Sequence, residues 1–222
     1  MKGIFENRPP IPKYSDTWDV GQVLRYLSSL SSNESLSLAD LTRKTLVLCL
    51  LVSGKRRNAI VQLSLEGLRK SDSSYVFNAV KEKHHRPGKP RENIIFKSYD
   101  QDTSVCVIRC LKRYIEVTAS LRGEDKQLFI SYQKPFHAVK SATLGNWIRH
   151  VMSQAGIDIF RYAPHSARAA SGSAAIQAHV PIDVLLEAVG WSNEATFATY
   201  YNKTIVQQPR ERLASSVLSR AR

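Results

Sequence analysis

Residues 37–56 constrain the architecture of this chain more than any other stretch. From Ser37 or Leu38 the pattern supports a helix that passes through Leu46-Val47-Leu48-Cys49-Leu50-Leu51-Val52 and stops at Ser53-Gly54. Glycine ends helices because, without a Cβ, it adopts the left-handed conformation that closes the last turn. Arg56 follows two residues later.

The rest of the chain divides into short elements around this helix. Pro9, Pro10 and Pro12 make residues 1–16 an extended arm. Asp16-Thr17 suits a helix cap, with Val20, Val23, Leu24 and Leu27 at helical spacing behind it, and the serine-rich segment from Ser28 to Ser37 breaks that helix. Ala59, Ile60, Leu63 and Leu65 suggest a short helix. Tyr75-Val76-Phe77 and Glu92-Asn93-Ile94-Ile95-Phe96 then read as the strands of a hairpin around a charged turn. Thr103 to Leu121 is helical, with Val107, Leu111, Tyr114 and Ile115 on one side. Leu128-Phe129-Ile130 reads as a short strand and Ser141 to Ala155 as a helix around Leu144, Trp147, Ile148 and Val151. Helices near His165–His179, Pro181–Val189 and Glu194–Tyr201 close the pattern. Residues 207–222, with Arg210, Arg212, Arg220 and Arg222, form a basic tail. The expected class is α+β, mostly α-helical, with one small antiparallel sheet.

Charge narrows the choice of partner. Lys and Arg number 32 against 19 Asp and Glu, a formal net charge of +13, which is the excess expected of a protein that holds phosphate backbones. No run of about 18 apolar residues exists to span a bilayer, and Met1-Lys2-Gly3-Ile4-Phe5 does not begin a signal peptide, so an intracellular protein is expected. Cys49, Cys106 and Cys110 are odd in number, which argues against a disulfide framework. Cys106 and Cys110 lack a histidine at ligand spacing and read as small buried residues on one helix face, so neither metal nor cofactor is expected. There is no P-loop and no carboxylate pair suited to a metal-dependent nuclease.

The last third carries the chemistry. His165-Ser166-Ala167-Arg168 is followed by Gly190-Trp191 and then by Tyr200-Tyr201. This order and spacing resemble the tyrosine recombinase family, whose catalytic domain has His-x-x-Arg, then Gly with His or Trp, then a tyrosine about nine or ten positions on. The resemblance runs from about Gly3 to about Val206. It places the family's first catalytic arginine at Arg56 and its hairpin lysine at Lys83, with Lys81 as the alternative. The nucleophile falls on Tyr200 when nine residues are counted from Trp191. It falls on Tyr201 when Thr196-Phe197 is aligned with the pattern of eukaryotic mobile elements of the DIRS and Crypton kinds, and Tyr201 is preferred. Phe5-Glu6-Asn7-Arg8-Pro9-Pro10, Trp18-Asp19-Val20, Arg86-Pro87-Gly88-Lys89-Pro90 and Leu128-Phe129-Ile130-Ser131-Tyr132 resemble that same subgroup.

These residue types suit attack on a phosphodiester. Arg56 and Arg168 can each bind two non-bridging oxygens and never deprotonate, His165 lies three residues before Arg168, and Trp191 offers an indole N–H. Lysine, unlike arginine, can surrender a proton to a leaving oxygen. The resemblance therefore implies strand cleavage and rejoining through a 3′-phosphotyrosine, with double-stranded DNA as partner, self-association on it, and no membrane or small-molecule substrate. A eukaryotic member would work in the nucleus. Residues 17–206 would form the catalytic domain, and the clamp domain that family members carry in front of it is expected to be absent.

Overall fold

A computed structural model of the chain describes residues 15–78, 93–191 and 194–206, leaving aside the side chains of Thr196 and Tyr200. Its centre is the helix expected from residues 37–56. This helix, Leu38–Ser53, is α2; every residue from Leu46 to Leu51 is buried, and only Val52 of the apolar run faces out. Ser37 caps its start by accepting from the Asp40 N–H. Gly54 ends it with φ 55°, returning its N–H to the Leu50 carbonyl at 3.1 Å.

The other elements lie around α2. Strand β1 (Asp16–Trp18) leads into α1 (Val20–Ser29), and the short α3 (Arg57–Val61) follows Gly54. Strands β2 (Arg69–Lys70), β3 (Ser74–Phe77) and β4 (Ile94–Lys97) form an antiparallel sheet in that order. Its register pairs Tyr75 with Phe96, and Phe77 meets Phe96 edge to face at 5.7 Å. Helices α4 (Val107–Thr118), α5 (Ser141–Gln154) and α6 (Ala167–Gln177) pack on α2. Helix α7 (Ile182–Val189), helix α8 (Glu194–Tyr200) and strand β5 (Thr204–Val206) complete the described chain. This is the α+β, mostly helical architecture expected from the sequence, with its small antiparallel sheet.

Three local expectations need correction. Asp16-Thr17 does not cap the first helix: it belongs to β1, which pairs in parallel with β5 in the register Asp16 to Thr204, and the cap is Asp19, whose carboxylate accepts from the Gly21 N–H. Strand pairing across the whole chain has overridden a local capping signal. Leu128–Ile130 does not form a strand. Its donors go to different partners, Leu128 N–H to the Leu63 carbonyl at 2.7 Å and Ile130 N–H to the buried Tyr114 hydroxyl at 3.1 Å, so only isolated bridges form. The segment expected as one helix from His165 begins as a 3₁₀ turn, Pro164–Ser166, before α6 starts at Ala167. Proline sets φ and supplies no N–H, which favours the tighter opening turn.

Cys49, Cys106 and Cys110 are free and buried, as small core residues would be, and burial raises the Cys110 thiol to about 11. Among the described residues no helix is long and apolar enough to cross a membrane, and no group of three His, Cys, Asp or Glu could hold a metal ion.

Candidate active site

Two left-handed glycines build the site. Gly54 turns the chain out of α2, and its carbonyl accepts a hydrogen bond of 3.0 Å from Arg168 Nη1. A Cβ at Gly54 would lie 2.8 Å from Val189 Cγ2, so only glycine lets the end of α7 approach this closely. Gly190, with φ 74°, ends α7 and sends Trp191 back across α6. Thus the loop bearing Arg56, the start of α6 bearing Arg168 and the turn bearing Trp191 meet at one place, although they are far apart in the sequence.

Arg168 lies at the middle of this junction and is only 5% exposed. Its guanidinium carbon is 4.7 Å from the Trp191 ring centroid and 5.4 Å from that of Tyr201. The Trp191 and Tyr201 rings are themselves 4.8 Å apart, and Trp191 is also 4.8 Å from Phe197. A guanidinium held against two aromatic faces is a favourable cation–π arrangement. Leu185, Val189, Trp191 and Phe197 form a small core of their own, separate from the main one. Trp191 is therefore both a core residue and a neighbour of Arg168, and its indole Nε1 is buried with no hydrogen-bond partner among the described residues.

Helix α6 fits under Trp191 because Gly172 has no side chain. A Cβ there would stand 2.9 Å from Trp191 Cη2 and 3.1 Å from Phe197 Cε2. Beside it Ser173, 4% exposed, donates to the Tyr201 carbonyl and accepts from the Lys203 N–H, both at 2.8 Å. The segment after α8 is thereby tied to α6 before it joins β1. Neither Gly172 nor Ser173 stood out in the sequence. The run of small residues from Ala169 to Ala175 was the available sign that another element comes close.

The remaining predicted residues divide into two groups. Arg56 is exposed, in extended backbone immediately before α3, and His165 is exposed on the 3₁₀ turn. His165, three residues before Arg168, thus faces solvent while Arg168 is buried. The turn carrying His165 is fixed from β1, because the Trp18 indole donates to Ser166 Oγ at 2.8 Å, and Ser166 in turn donates to the Ala163 carbonyl. Lys83 and its alternative Lys81 lie outside the described residues, as does the side chain of Tyr200; Tyr201 is half-buried against Trp191.

Comparison with known proteins bears on the fold that carries these residues. In fold the chain is similar to the XerH site-specific recombinase bound to difH substrate in a pre-cleavage complex, with a TM-score of 0.63, 16% identity, and 92% of this chain and 53% of that one covered. It is also similar to XerA recombinase, with a TM-score of 0.61, 18% identity and coverage of 95% and 66%. The Tn1549 transposon integrase in complex with transposon right end DNA gives 0.60, 14% identity and coverage of 95% and 68%. The chain thus spans about half the length of XerH. No curated protein sequence matches it. The family model described as the phage integrase family matches residues 21–206, nearly all of the described fold, and the chain belongs to this family of tyrosine recombinases.

Proposed function

We propose that this chain cleaves and rejoins DNA strands through a covalent 3′-phosphotyrosine intermediate. The observation that carries the reading is the junction at Arg168: its guanidinium is bonded to the Gly54 carbonyl next to Arg56 and packs against both Trp191 and Tyr201. In this reading the phenol of Tyr201 loses its proton as it attacks phosphorus. Arg56, Arg168 and His165 stabilise the negative oxygens of the transition state. Lys83 gives a proton to the departing 5′ oxygen. The phosphorus–oxygen bond energy is kept in the tyrosyl ester, and reversal with a second strand end completes exchange without water or nucleotide hydrolysis. Exchange between two duplexes needs several active sites, so the chain would act as an assembly on DNA. In the same reading, its short motifs support kinship with the recombinases of DIRS and Crypton elements.

A suicide DNA substrate, which loses its 5′ product by diffusion, tests this directly. A denaturant-resistant adduct is expected, abolished by Tyr201→Phe and only weakened by Tyr200→Phe; the opposite pattern would move the nucleophile to Tyr200. Lys83→Ala should be rescued by a 5′-bridging sulfur, which leaves without a proton. Rescue of Lys81→Ala instead would transfer the acid role to Lys81.

A second reading, a DNA-binding module without strand chemistry, is favoured by one specific feature, the near-complete burial of Arg168 under aromatic rings. It predicts duplex binding with no adduct on any nicked substrate.

A further inference from the structure

Exposed apolar side chains gather at one groove of the described fold. It has a volume of about 970 Å³ and runs between α1, the end of α2, β4 and the Thr103–Val105 turn, with Leu24 and Leu48 in its walls. Val52, Ile95 and Tyr99 also line it and stand out at 56%, 55% and 46% exposure, three of the six large hydrophobic residues exposed among the described residues. Single apolar residues are scattered over any surface, but three on one groove mark a place where another molecule binds. Val52 and Ile95 further line a smaller cavity of about 190 Å³ that reaches Gly54, whose carbonyl holds Arg168. The apolar strip therefore continues toward the candidate site.

Size, shape and charge say what covers it. A small molecule on the groove floor would leave Val52, Ile95 and Tyr99 in water, and covering all three takes a polypeptide segment. Ile95 and Lys97 are exposed and alternate with the buried Ile94 and Phe96, so the groove meets the side-chain face of β4 and not its hydrogen-bonding edge. A helix laid on that face fits, whereas an added strand would need the edge. The charged residues lining the groove are Arg25 and Lys97 against Asp102. Asp102 is held at the start of the Thr103–Val105 turn, accepting from the Ser104 hydroxyl at 2.6 Å and the Ser104 N–H at 2.9 Å. Asp19, 3.7 Å from Arg25, likewise accepts from the Gly21 N–H at the start of α1. Such donors offset part of a carboxylate's charge, which leaves the rim net positive and suited to an acidic partner. The rest of this chain does not supply one. Residues 1–14 hold three Lys and Arg against one Glu, 79–92 five against two, and 207–222 four against one, and a second copy brings the same net charge of +13.

We propose that this groove docks an amphipathic helix of another protein, one whose apolar stripe is flanked by Asp or Glu. The stripe covers Val52, Ile95 and Tyr99, and the carboxylates meet Arg25 and Lys97 at the rim. The proposal does not depend on strand cleavage or on DNA binding.

The test is a selection of random peptides of about 16 residues, roughly four helical turns, displayed on phage against the whole chain at physiological ionic strength. Heparin is present throughout to cover surfaces that take any polyanion. The enriched peptides should carry large apolar residues at i, i+3, i+4 and i+7 and a net negative charge. Synthesised and followed by fluorescence anisotropy, they should bind the whole chain saturably. Ile95→Asp and Val52→Asp should each weaken that binding about tenfold or more, since either places a carboxylate in an apolar contact, and Lys97→Glu should weaken it several-fold. Both apolar residues are exposed, so these variants should keep the Tm of the unaltered chain; should Ile95→Asp unfold it, Tyr99→Ala reads the same face. A selection that enriches nothing, or enriches basic peptides, would overturn the proposal, as would acidic peptides that bind Ile95→Asp and Val52→Asp undiminished. Synthetic peptides of residues 1–14 or 207–222 that bind more tightly than the selected ones, and lose that binding in Ile95→Asp, would assign the groove to this chain's own segments and overturn it too. Sedimentation showing self-association of the free chain that Ile95→Asp abolishes would assign it to a second copy, with the same consequence.

Discussion

Replacing Gly172 by alanine sets two opposed effects against each other, and the structure decides the sign. In the interior of a helix, glycine to alanine gains up to about 1 kcal/mol because alanine loses less backbone entropy on folding. Here, however, the new methyl would lie 2.9 Å from Trp191 Cη2 and 3.1 Å from Phe197 Cε2. Neither ring can retreat easily: Phe197 is fully buried, and Trp191 is braced by Tyr201 and by Arg168. Overfilling a packed site of this kind costs about 1–3 kcal/mol. The net expectation is a loss of about 1 kcal/mol and at most about 2, or a fall in Tm of about 2–8 °C for a chain of this size. Thermal unfolding followed by circular dichroism measures it, and tryptophan fluorescence should report the displaced indole. Gly145→Ala in α5 is the matched control. Its Cβ would meet Arg57 Nη1, the far end of a flexible side chain whose Nε donates to Ser141 Oγ at 2.8 Å and which can turn about that bond, so the helical gain should prevail and Tm should hold or rise. If Gly172→Ala proved as stable as Gly145→Ala, the packing of Trp191 on α6 would not be as described.

On the proposed reading, Arg168→Lys should abolish the covalent adduct while leaving duplex affinity within a few-fold, since an ammonium cannot reach the Gly54 carbonyl and also hold two phosphate oxygens; equal loss of binding and cleavage would make Arg168 a general contact. Duplex affinity should fall with salt at about −0.9 per phosphate contact in logarithmic terms, and with roughly four to eight contacts the slope should lie near −4 to −7; a salt-insensitive constant would refute backbone binding as its basis. Alkaline stability should depend on two tyrosines. Burial, and then the hydrogen bond of 2.6 Å to Asp16, raise the Tyr162 phenol, and burial pushes Tyr114 up to about 12. The folded chain therefore holds these protons more tightly than the unfolded one, so their stabilisation is complete below about pH 10 and is lost as pH rises through the folded values. Tyr162→Phe should flatten the alkaline limb of a denaturation series, and an unchanged limb would discount the Asp16 contact.

What the sequence showed and what it hid have separate physical causes. The helix ending at Gly54 was legible because its apolar run and its glycine stop are local features, and the hairpin strands around Tyr75 and Phe96 were legible for the same reason. Strand β1 was not, because Asp16–Trp18 becomes a strand only by pairing with Thr204–Val206 at the other end of the chain. The site divides in the same way. Arg56, Arg168, Trp191 and Tyr201 could be proposed from type and spacing, but the burial of Arg168 depends on where Trp191 and Tyr201 fold back. Gly172 and Ser173 are small residues in a helix, and their importance comes only from what lies against them. Lys44 was hidden most completely: it is buried on α2, and one lysine among many has no sequence mark of burial.

The stack over Arg168 raises a question of energy for the proposed chemistry, because the groups that should meet a phosphate are closed on one another. Opening the Tyr201 side of the stack breaks one cation–π contact and one aromatic pair, each worth about 0.5–2 kcal/mol where partly buried, so it costs about 1–4 kcal/mol. A charge-assisted, bidentate bond from guanidinium to phosphate is of comparable or greater strength. The buried Trp191 Nε1, which lacks an acceptor among the described residues, would gain one from the same phosphate. On the proposed reading, DNA would therefore open the stack by replacing its contacts rather than by simple disruption. The tether through Ser173 to the Tyr201 carbonyl holds the backbone in place, so the opening need involve little more than rotation of the tyrosine ring out of the stack. Without DNA nothing compensates for the lost contacts, and Tyr201 stays folded against Arg168. On the proposed reading, the arrangement that keeps Tyr201 closed in the free chain is thus the one that leaves it within reach once a phosphate arrives.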